Sequence, residues 1–298
     1  MNDGALSFGQ KSRYGAEAAV FFAFMALFRI LGLDRASALG GWIGRNIFSR
    51  LPPARIARAN LIAAFPEKSA TEIAAILTAM WDNLGRVVAE YAHLEKFTIA
   101  GPDPRIHITD TGDADGAFSH GRGVLFLSGH LANWEMMPIT GQALGFDGAT
   151  VVRHPNNPYV ARWLERQRGL SGPKEQLGKH SGLRRMFSKL RAGKALYMLV
   201  DQKLDEGIPI PFFGRSAMTT PAPAALALKL GARILFASNR RTAGSRFAVV
   251  IHPGVDFVPS GDEARDTAAL TEAITARIEA MIRADPSQWL WIHRRWGS

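Results

Sequence analysis

A histidine and an acid stand five positions apart after an apolar run, and together they could move a proton. Residues 123–135 read Gly-Val-Leu-Phe-Leu-Ser-Gly-His-Leu-Ala-Asn-Trp-Glu, so residues 124–127 lead almost directly into His130 and then Glu135. A short apolar run next to glycine is typical of a buried strand. Because five residues turn an α-helix through about 500°, His130 and Glu135 would not share a helical face. We therefore predict that His130 lies in a strand-to-helix turn and that Glu135, in the first turn of the helix, reaches back to it.

The chemistry that this pair supports is general-base catalysis. A carboxylate bonded to one imidazole nitrogen fixes the tautomer, and the other nitrogen can then take the proton of an alcohol. The chain has no cysteine and no Gly-x-Ser-x-Gly sequence, which argues against an acyl-enzyme intermediate. It also has no His-Glu-x-x-His sequence, so we expect no metal site and no other cofactor. On spacing alone, an ordinary turn with a hydrogen-bonded histidine is the alternative.

The charge of the chain indicates an anionic partner. The formal net charge is +10, and residues 153–194 hold eleven Lys and Arg against two acids. Such a balance is typical of proteins that bind nucleic acid, an anionic membrane surface or an acidic protein, and charge alone does not choose among them. A solvated basic helix face is the simpler explanation. The position of this basic stretch just after His130 favours a site for an anionic ligand.

The amino-terminal segment has the composition of a membrane anchor. Residues 18–28 are eleven apolar residues without a charge, and Arg29 and then residues 30–33 follow. A full span needs about 20 apolar residues, so this run favours an interfacial or barely spanning helix. A buried core helix and a true span are the alternatives. We predict a tail and hydrophobic anchor over residues 1–33 and a single α/β domain over residues 34–298.

Strands and helices alternate through the rest of the chain. Further short apolar runs at residues 149–152 and 195–200 predict strands, with helical patterns between them. This alternation predicts an α/β fold with a mostly parallel central sheet flanked by helices. His130, Arg153 and Asp201 each follow a predicted strand, and sites in such sheets gather at the carboxyl ends of the strands.

Several blocks of the sequence carry a family resemblance. Residues 129–135 resemble the His-x4-acid motif of the lysophospholipid acyltransferase superfamily, and more closely that of the late acyltransferases of bacterial lipid A biosynthesis. The other blocks similar to that family are residues 58–66, residues 81–86 with Glu90, Val152-Arg153 with Asn157-Pro158, Asp201-Gln202 with residues 210–214 and Thr219-Thr220, and residues 288–296. Lys203 is a departure, since many members carry an acid there.

The resemblance implies an enzyme and assigns roles to its residues. It implies a glycerol-3-phosphate acyltransferase-like fold and transfer of a fatty acyl group from an acyl carrier protein thioester to a hydroxyl of a lipid A precursor. His130 would be the general base and Glu135 the acid that orients it. The residues expected to stabilise the oxyanion or bind substrate are Arg153, Arg166, Arg168 and Asp201. The expected partners are acyl carrier protein, the anionic lipid and the cytoplasmic face of the bacterial inner membrane.

Three other functions compete with this one. An acyltransferase of the same superfamily could use a phosphatidylinositol mannoside or a glycerolipid as acceptor. A basic nucleic-acid-binding protein would explain the charge, but it would explain neither His130 at the end of a buried strand nor the apolar amino terminus, and no recognised binding motif is present. We therefore expect no nucleic-acid partner. A catalytically silent scaffold on a membrane surface is the third alternative.

Overall fold

Helices form the amino-terminal part of the molecule. The computed structural model describes residues 7–110, 116, 121–178 and 182–296. The helices before the first strand are α1 (Phe8–Leu31), α2 (Leu33–Asn46), α3 (Pro53–Ala64) and α4 (Ala70–Glu90), with 3-10 turns at Phe48–Arg50 and Tyr91–Lys96. The later helices are α5 (Met136–Ala143), α6 (Pro158–Ser171), α7 (Leu183–Arg191), α8 (Ala222–Leu230) and α9 (Glu263–Ala284), with a 3-10 turn at Pro286–Gln288.

The strands form a seven-stranded sheet and a separate hairpin. The strands are β1 (Ile106–Asp110), β2 (Val124–Ser128), β3 (Gly148–Val152), β4 (Glu175–Gly178), β5 (Ala195–Leu199), β6 (Ile208–Phe212), β7 (Arg215–Thr219), β8 (Arg233–Ala243) and β9 (Arg246–His252). The sheet order is β1-β9-β8-β2-β5-β3-β4. The five strands from β8 to β4 are parallel, whereas β9 is antiparallel to β8 and carries β1 with it. The predicted α/β fold with a mostly parallel sheet flanked by helices is confirmed.

The central strand is buried on both faces. All five residues of β2 are buried, and β2 lies between β5 and β8. Such burial explains the uninterrupted apolar run, because a parallel strand with helices on both faces has no solvent side. In the register of β2 and β5, Ser128 is opposite Leu199. The residues that follow these two strands therefore emerge side by side.

The helices α2 and α4 cross at close range. A Cβ atom on Gly44 would lie 1.9 Å from the carbonyl oxygen of Trp81, and one on Gly85 would lie 2.0 Å from that of Gly40. Neither position tolerates a side chain, so glycine is required for the backbones to approach. This contact fixes the carboxyl-terminal half of α4, which contacts the turn between β2 and α5.

One side of α1 packs on the α/β domain, and the other side is exposed. Met25 and Phe28 are buried, whereas Val20, Phe24 and Ile30 are exposed. By length and composition, α1 is the one described helix that could cross a membrane. The anchor over residues 1–33 stays a prediction, and the structure adds that its helix is also part of the packed molecule.

The carboxyl-terminal tail folds back into the core. Trp289, Trp291 and Trp296 are buried, and the indole nitrogen of Trp296 donates to the carbonyl oxygen of Phe212 at 3.0 Å. Leu131, next to His130, forms an isolated antiparallel bridge with Trp289. The tail therefore lies against the turn that carries His130.

Candidate active site

His130 lies in the turn between β2 and α5. The strand ends at Ser128, and Glu135 is the N-cap residue of α5, so His130 precedes the helix as the spacing predicted. The hydroxyl of Ser128 donates to the carbonyl oxygen of Ala237 at 2.6 Å. Ser128 is thus engaged with the neighbouring strand β8, and His130 is the side chain that the strand presents at its carboxyl end.

Asp201, which follows β5, orients His130. Nδ1 of His130 lies 2.8 Å from Oδ1 of Asp201, and the backbone N–H of His130 donates to Oδ2 at 2.7 Å. The indole N–H of Trp289 donates to the same Oδ2 at 2.7 Å. Burial alone would raise the pKa of the Asp201 carboxyl, but the charge of His130 and these hydrogen bonds lower it below its usual range. Asp201 is therefore ionised, and its Oδ1 accepts a hydrogen bond from the N–H at Nδ1 of His130.

Glu135 occupies a different place from the one predicted. Its Oε1 accepts a hydrogen bond from the Tyr91 hydroxyl at 2.5 Å and lies 2.8 Å from Nη2 of Arg168. In the structure Asp201, and not Glu135, contacts His130. This corrects the prediction that Glu135 reaches back to the imidazole. The reason is local, since the N-cap position directs the Glu135 side chain toward the end of α4 and toward α6, away from the imidazole.

Buried Glu135 and half-buried Tyr91 and Arg168 form a unit, here called the Glu135 cluster. Burial alone would lower the pKa of Arg168, but the charge of Glu135 reverses this and raises it. Burial and the same charge raise the pKa of Tyr91 well above its usual range. The cluster touches the site through Trp134, whose indole N–H lies 3.1 Å from the Tyr91 oxygen and whose ring packs edge-on against His130 at 5.2 Å.

Gln202 and His293 complete the surroundings of His130. The side-chain nitrogen of Gln202 lies 3.1 Å from Nε2 of His130 and 2.8 Å from Nε2 of His293. Burial and the nearby charges of His130 and Arg153 lower the pKa of His293, so it is neutral at pH 7. Neither residue was predicted as part of the site. The available signal was their place in the Asp201-Gln202 and 288–296 blocks.

The turn itself is held in an unusual conformation. Ala132 has a φ of +46°, a region that costs a non-glycine residue on the order of 1 kcal/mol. Its carbonyl oxygen accepts from the Asn83 side chain at 2.9 Å, and the side chain of its neighbour Asn133 donates to buried Glu90 at 2.9 Å. The amino-terminal helix α4 therefore supplies the polar contacts that fix the turn after His130.

The three predicted arginines have separate positions. Arg153 is exposed just after β3, and its charge acts on His293. Arg168 belongs to the Glu135 cluster. Arg166 lines a cavity of about 400 Å³ with Phe22 of α1, so it faces the amino-terminal helix rather than the imidazole. The structure thus brings Arg153 and Asp201 to the two histidines and places Arg166 against α1, and substrate binding by the three arginines stays a prediction.

Comparison with known proteins gives a consistent result over most of the chain. The family model of the bacterial lipid A biosynthesis acyltransferases matches residues 7–298. The lipid A biosynthesis palmitoleoyltransferase of Escherichia coli K12 is 26% identical over 249 residues, which cover 80% of this chain and 77% of the relative. The lipid A biosynthesis lauroyltransferase of the same organism is 26% identical over 258 residues, covering 81% and 78%. The phosphatidylinositol mannoside acyltransferase of Mycobacterium tuberculosis H37Rv is 26% identical over 188 residues, covering 61% and 57%.

Proposed function

Because the chain belongs to the family of bacterial lipid A biosynthesis acyltransferases, we propose that it transfers a fatty acyl group from acyl carrier protein to a hydroxyl of a lipid A precursor. The observation that carries the mechanism is the contact of 2.8 Å between Nδ1 of His130 and Asp201. This contact leaves the lone pair of the imidazole on Nε2, at the carboxyl edge of the sheet. An imidazole in this state is ready to accept a proton.

The reaction proceeds in one transfer between donor and acceptor. Nε2 of His130 takes the proton of the acceptor hydroxyl while its oxygen attacks the thioester carbonyl carbon. The tetrahedral intermediate collapses with cleavage of the C–S bond, and the leaving thiolate takes the proton back from the imidazolium. The ionised carboxylate of Asp201 stabilises the imidazolium between these steps. No protein nucleophile is required, in keeping with the absence of cysteine.

The charge near the site suits both substrates. Arg153 is exposed beside the histidines, and α7 carries the basic residues Arg184, Arg185, Lys189 and Arg191. Two of these, Arg185 and Lys189, pair with Glu175 at 2.7 and 2.5 Å, whereas Arg153 has its guanidinium available at the surface. Phosphate groups of a lipid A precursor and the acidic surface of an acyl carrier protein are both ligands that such cations attract.

The proposed location is the cytoplasmic face of the inner membrane, with α1 lying on the lipid. One face of α1 is tied to α6, since the Asn157 side chain donates to the carbonyl oxygen of Tyr14 at 2.9 Å and Phe21 packs edge-on against Trp163 at 5.2 Å. The opposite face exposes apolar side chains such as Phe24. A helix with this division binds at an interface. Flotation with anionic vesicles should weaken in a variant with glutamine at positions 20, 24 and 30, and unchanged flotation would contradict this location.

The test of the function is turnover with defined substrates. Wild-type protein is incubated with acyl carrier protein thioesters and a tetra-acylated lipid A precursor, and the mass of the lipid product is measured. His130→Ala should reduce turnover by roughly 10²–10⁴-fold, the usual contribution of a general base. The matched control is His107→Ala, since His107 is exposed on β1. Near-full turnover by His130→Ala would rule out this mechanism.

A second acceptor class has specific support. Relatives named phosphatidylinositol mannoside acyltransferases match about three fifths of the chain at 24–26% identity. Offering the mannoside lipid beside the lipid A precursor in one reaction separates the two candidates. We expect the lipid A precursor to gain the acyl chain, because the lipid A relatives cover about four fifths of the chain.

A further inference from the structure

Gln202 stands at the nitrogen of His130 that the reaction uses. We propose that Gln202 is a catalytic residue that donates a hydrogen bond to the oxyanion of the tetrahedral intermediate, and that His293 is a positioning residue that holds Gln202 for this task. The proposal rests on the acyl transfer proposed above and names which side chains stabilise its intermediate.

The hydrogen-bond roles in the resting site follow from Asp201. Because Asp201 is ionised and faces Nδ1, a neutral His130 carries its proton there and its Nε2 is an acceptor. The side-chain nitrogen of Gln202, 3.1 Å away, is therefore the donor in this contact. The same amide group has a second N–H, which donates to Nε2 of His293 at 2.8 Å. Gln202 thus bridges the two imidazoles with its two N–H groups.

Binding of the acceptor hydroxyl to Nε2 of His130 displaces one of these N–H groups, because the single lone pair of Nε2 must accept the hydroxyl proton. Once His130 has taken the proton of the acceptor hydroxyl, its Nε2 is a donor and can no longer accept from Gln202. The freed N–H stays close to the reacting oxygen, because the other N–H remains on His293. As the alcohol oxygen bonds to the carbonyl carbon, the carbonyl electron pair moves to its oxygen, and the freed N–H is placed to donate to that charge. Side-chain amides serve as such donors in acyl transfer.

His293 is suited to act as the fixed end of this arrangement. Its carbonyl oxygen accepts from the Asn60 side chain at 2.6 Å, which ties the tail to α3. Its ring centroid lies 5.9 Å from that of His130, so that the side-chain nitrogen of Gln202 contacts Nε2 of both rings. Its lowered pKa keeps it an acceptor at neutral pH. A donor held in advance costs no reorganisation when the oxyanion forms.

The arginines near the site are less suited to stabilise the oxyanion. Arg168 is engaged by Glu135 at 2.8 Å inside the Glu135 cluster, and Arg166 faces α1. Arg153 is exposed, where hydrogen bonds to water compete with those to substrate. Gln202 is the side chain whose donor nitrogen is within hydrogen-bonding distance of the base itself.

The experiment measures kcat and KM separately for changes at both positions. Gln202→Met keeps the length of the side chain and removes both donors, so kcat should fall by roughly 10²–10³-fold while KM for donor and acceptor stays within about threefold. Gln142→Met, in α5, is the matched control and should retain wild-type turnover. Gln202→Glu is the second variant, since its carboxylate has the same shape but repels the oxyanion, and it should lose at least as much kcat.

The positioning role of His293 is tested by a pair of substitutions. His293→Leu should lower kcat by roughly tenfold to a hundredfold, a smaller loss than at Gln202 because the donor is still present but less fixed. His293→Gln should recover most of this loss, since its Oε1 offers an acceptor near the place of Nε2. Melting temperatures are recorded for every variant, so that a loss of kcat is scored only on folded protein.

The outcomes separate this proposal from the acyl transfer on which it rests. Acyl transfer by the wild type with retained kcat in both Gln202 variants would overturn the oxyanion role. A rise in KM with unchanged kcat would also overturn it, because that result assigns Gln202 to substrate binding. Equal losses in His293→Leu and His293→Gln would overturn the positioning role. Absence of acyl transfer in the wild type would instead contradict the proposed function.

Discussion

The two buried carboxylates of the site, Asp201 and Glu135, have nearly equal burial and opposite surroundings. Their residues are 3% and 4% exposed. Asp201 faces a titratable base, His130, and receives an additional hydrogen bond from Trp289. Glu135 faces a permanent cation, Arg168, and a tyrosine that stays protonated. In the proposed mechanism, Asp201 therefore serves proton transfer and Glu135 serves the architecture of the site, because an acid paired with arginine has no proton to exchange.

Chain distance and spatial distance run in opposite directions for these two acids. Glu135 is five residues from His130, whereas Asp201 is 71 residues away and arrives through the pairing of β2 with β5. A short motif therefore joins two units of the site. His130 belongs to one, Glu135 belongs to the other, and Trp134 lies between them, in contact with both.

Among substitutions that test the different roles of the two acids, we expect the largest loss of kcat at Asp201. Asp201→Asn keeps the shape but no longer fixes the proton on Nδ1 or stabilises the imidazolium, so kcat should fall by roughly 10⁴-fold, the scale seen when a catalytic histidine loses its orienting carboxylate. KM should change little. Asp205→Asn, in an exposed position nearby, is the matched control. Loss of less than tenfold in Asp201→Asn would transfer the orienting role away from this residue.

Charge coupling distinguishes the Glu135 side. Arg168→Gln leaves Glu135 buried without its cation and should lower the free energy of unfolding by about 3–5 kcal/mol. Glu135→Gln should instead lower turnover by roughly tenfold to a hundredfold, because Trp134 becomes less ordered. The double variant removes both charges and should recover part of each loss. Denaturant unfolding and turnover measure the two effects.

The same arginine substitution serves as the control for Asp201. Combining Arg168→Gln with Asp201→Asn should give additive losses, because the two residues share no partner. Recovery of activity in the Arg168→Gln, Asp201→Asn double variant would show that the two acids do not belong to separate units. Absence of recovery in the Arg168→Gln, Glu135→Gln double variant would show the same.

The parts of the molecule that sequence predicts are those set by local pattern. The apolar run of β2 with its flanking glycines placed His130 in the turn, and the alternation of strands and helices gave the sheet. Local pattern does not predict the hairpin β6–β7, since Pro209 and Pro211 lie within β6 and proline normally counts against a strand. Both prolines are exposed, whereas Ile210 and Phe212 of the same strand are buried.

The contacts that sequence did not predict depend on register and on the return of the tail. Asp201 reaches His130 because Ser128 is opposite Leu199 in the pairing of β2 with β5. This register cannot be predicted from a single sequence. His293 reaches Gln202 because the tail folds back on Leu131, which pairs with Trp289 at a distance of 158 positions in the chain. Proximity in the chain predicts a contact of Glu135 with His130, but Glu135 contacts the half-buried Arg168 instead, because two full charges attract more strongly where water is largely excluded.

The smallest expected effect is the pH dependence of stability, which directly tests whether Asp201 is ionised in the folded protein. The pKa of Asp201 is lower in the folded protein than the value near 4 of an unfolded chain, so its stabilising contribution is present above about pH 4 and is lost as the pH falls further. Asp201→Asn should therefore reduce the free energy of unfolding at pH 7, by about 2 kcal/mol, and this difference from wild type should shrink toward pH 3. Denaturant titrations at both pH values measure it. An unchanged difference would mean that Asp201 stabilises the fold by shape rather than charge, and that its contact with His130 does not hold the ionised state that the mechanism requires.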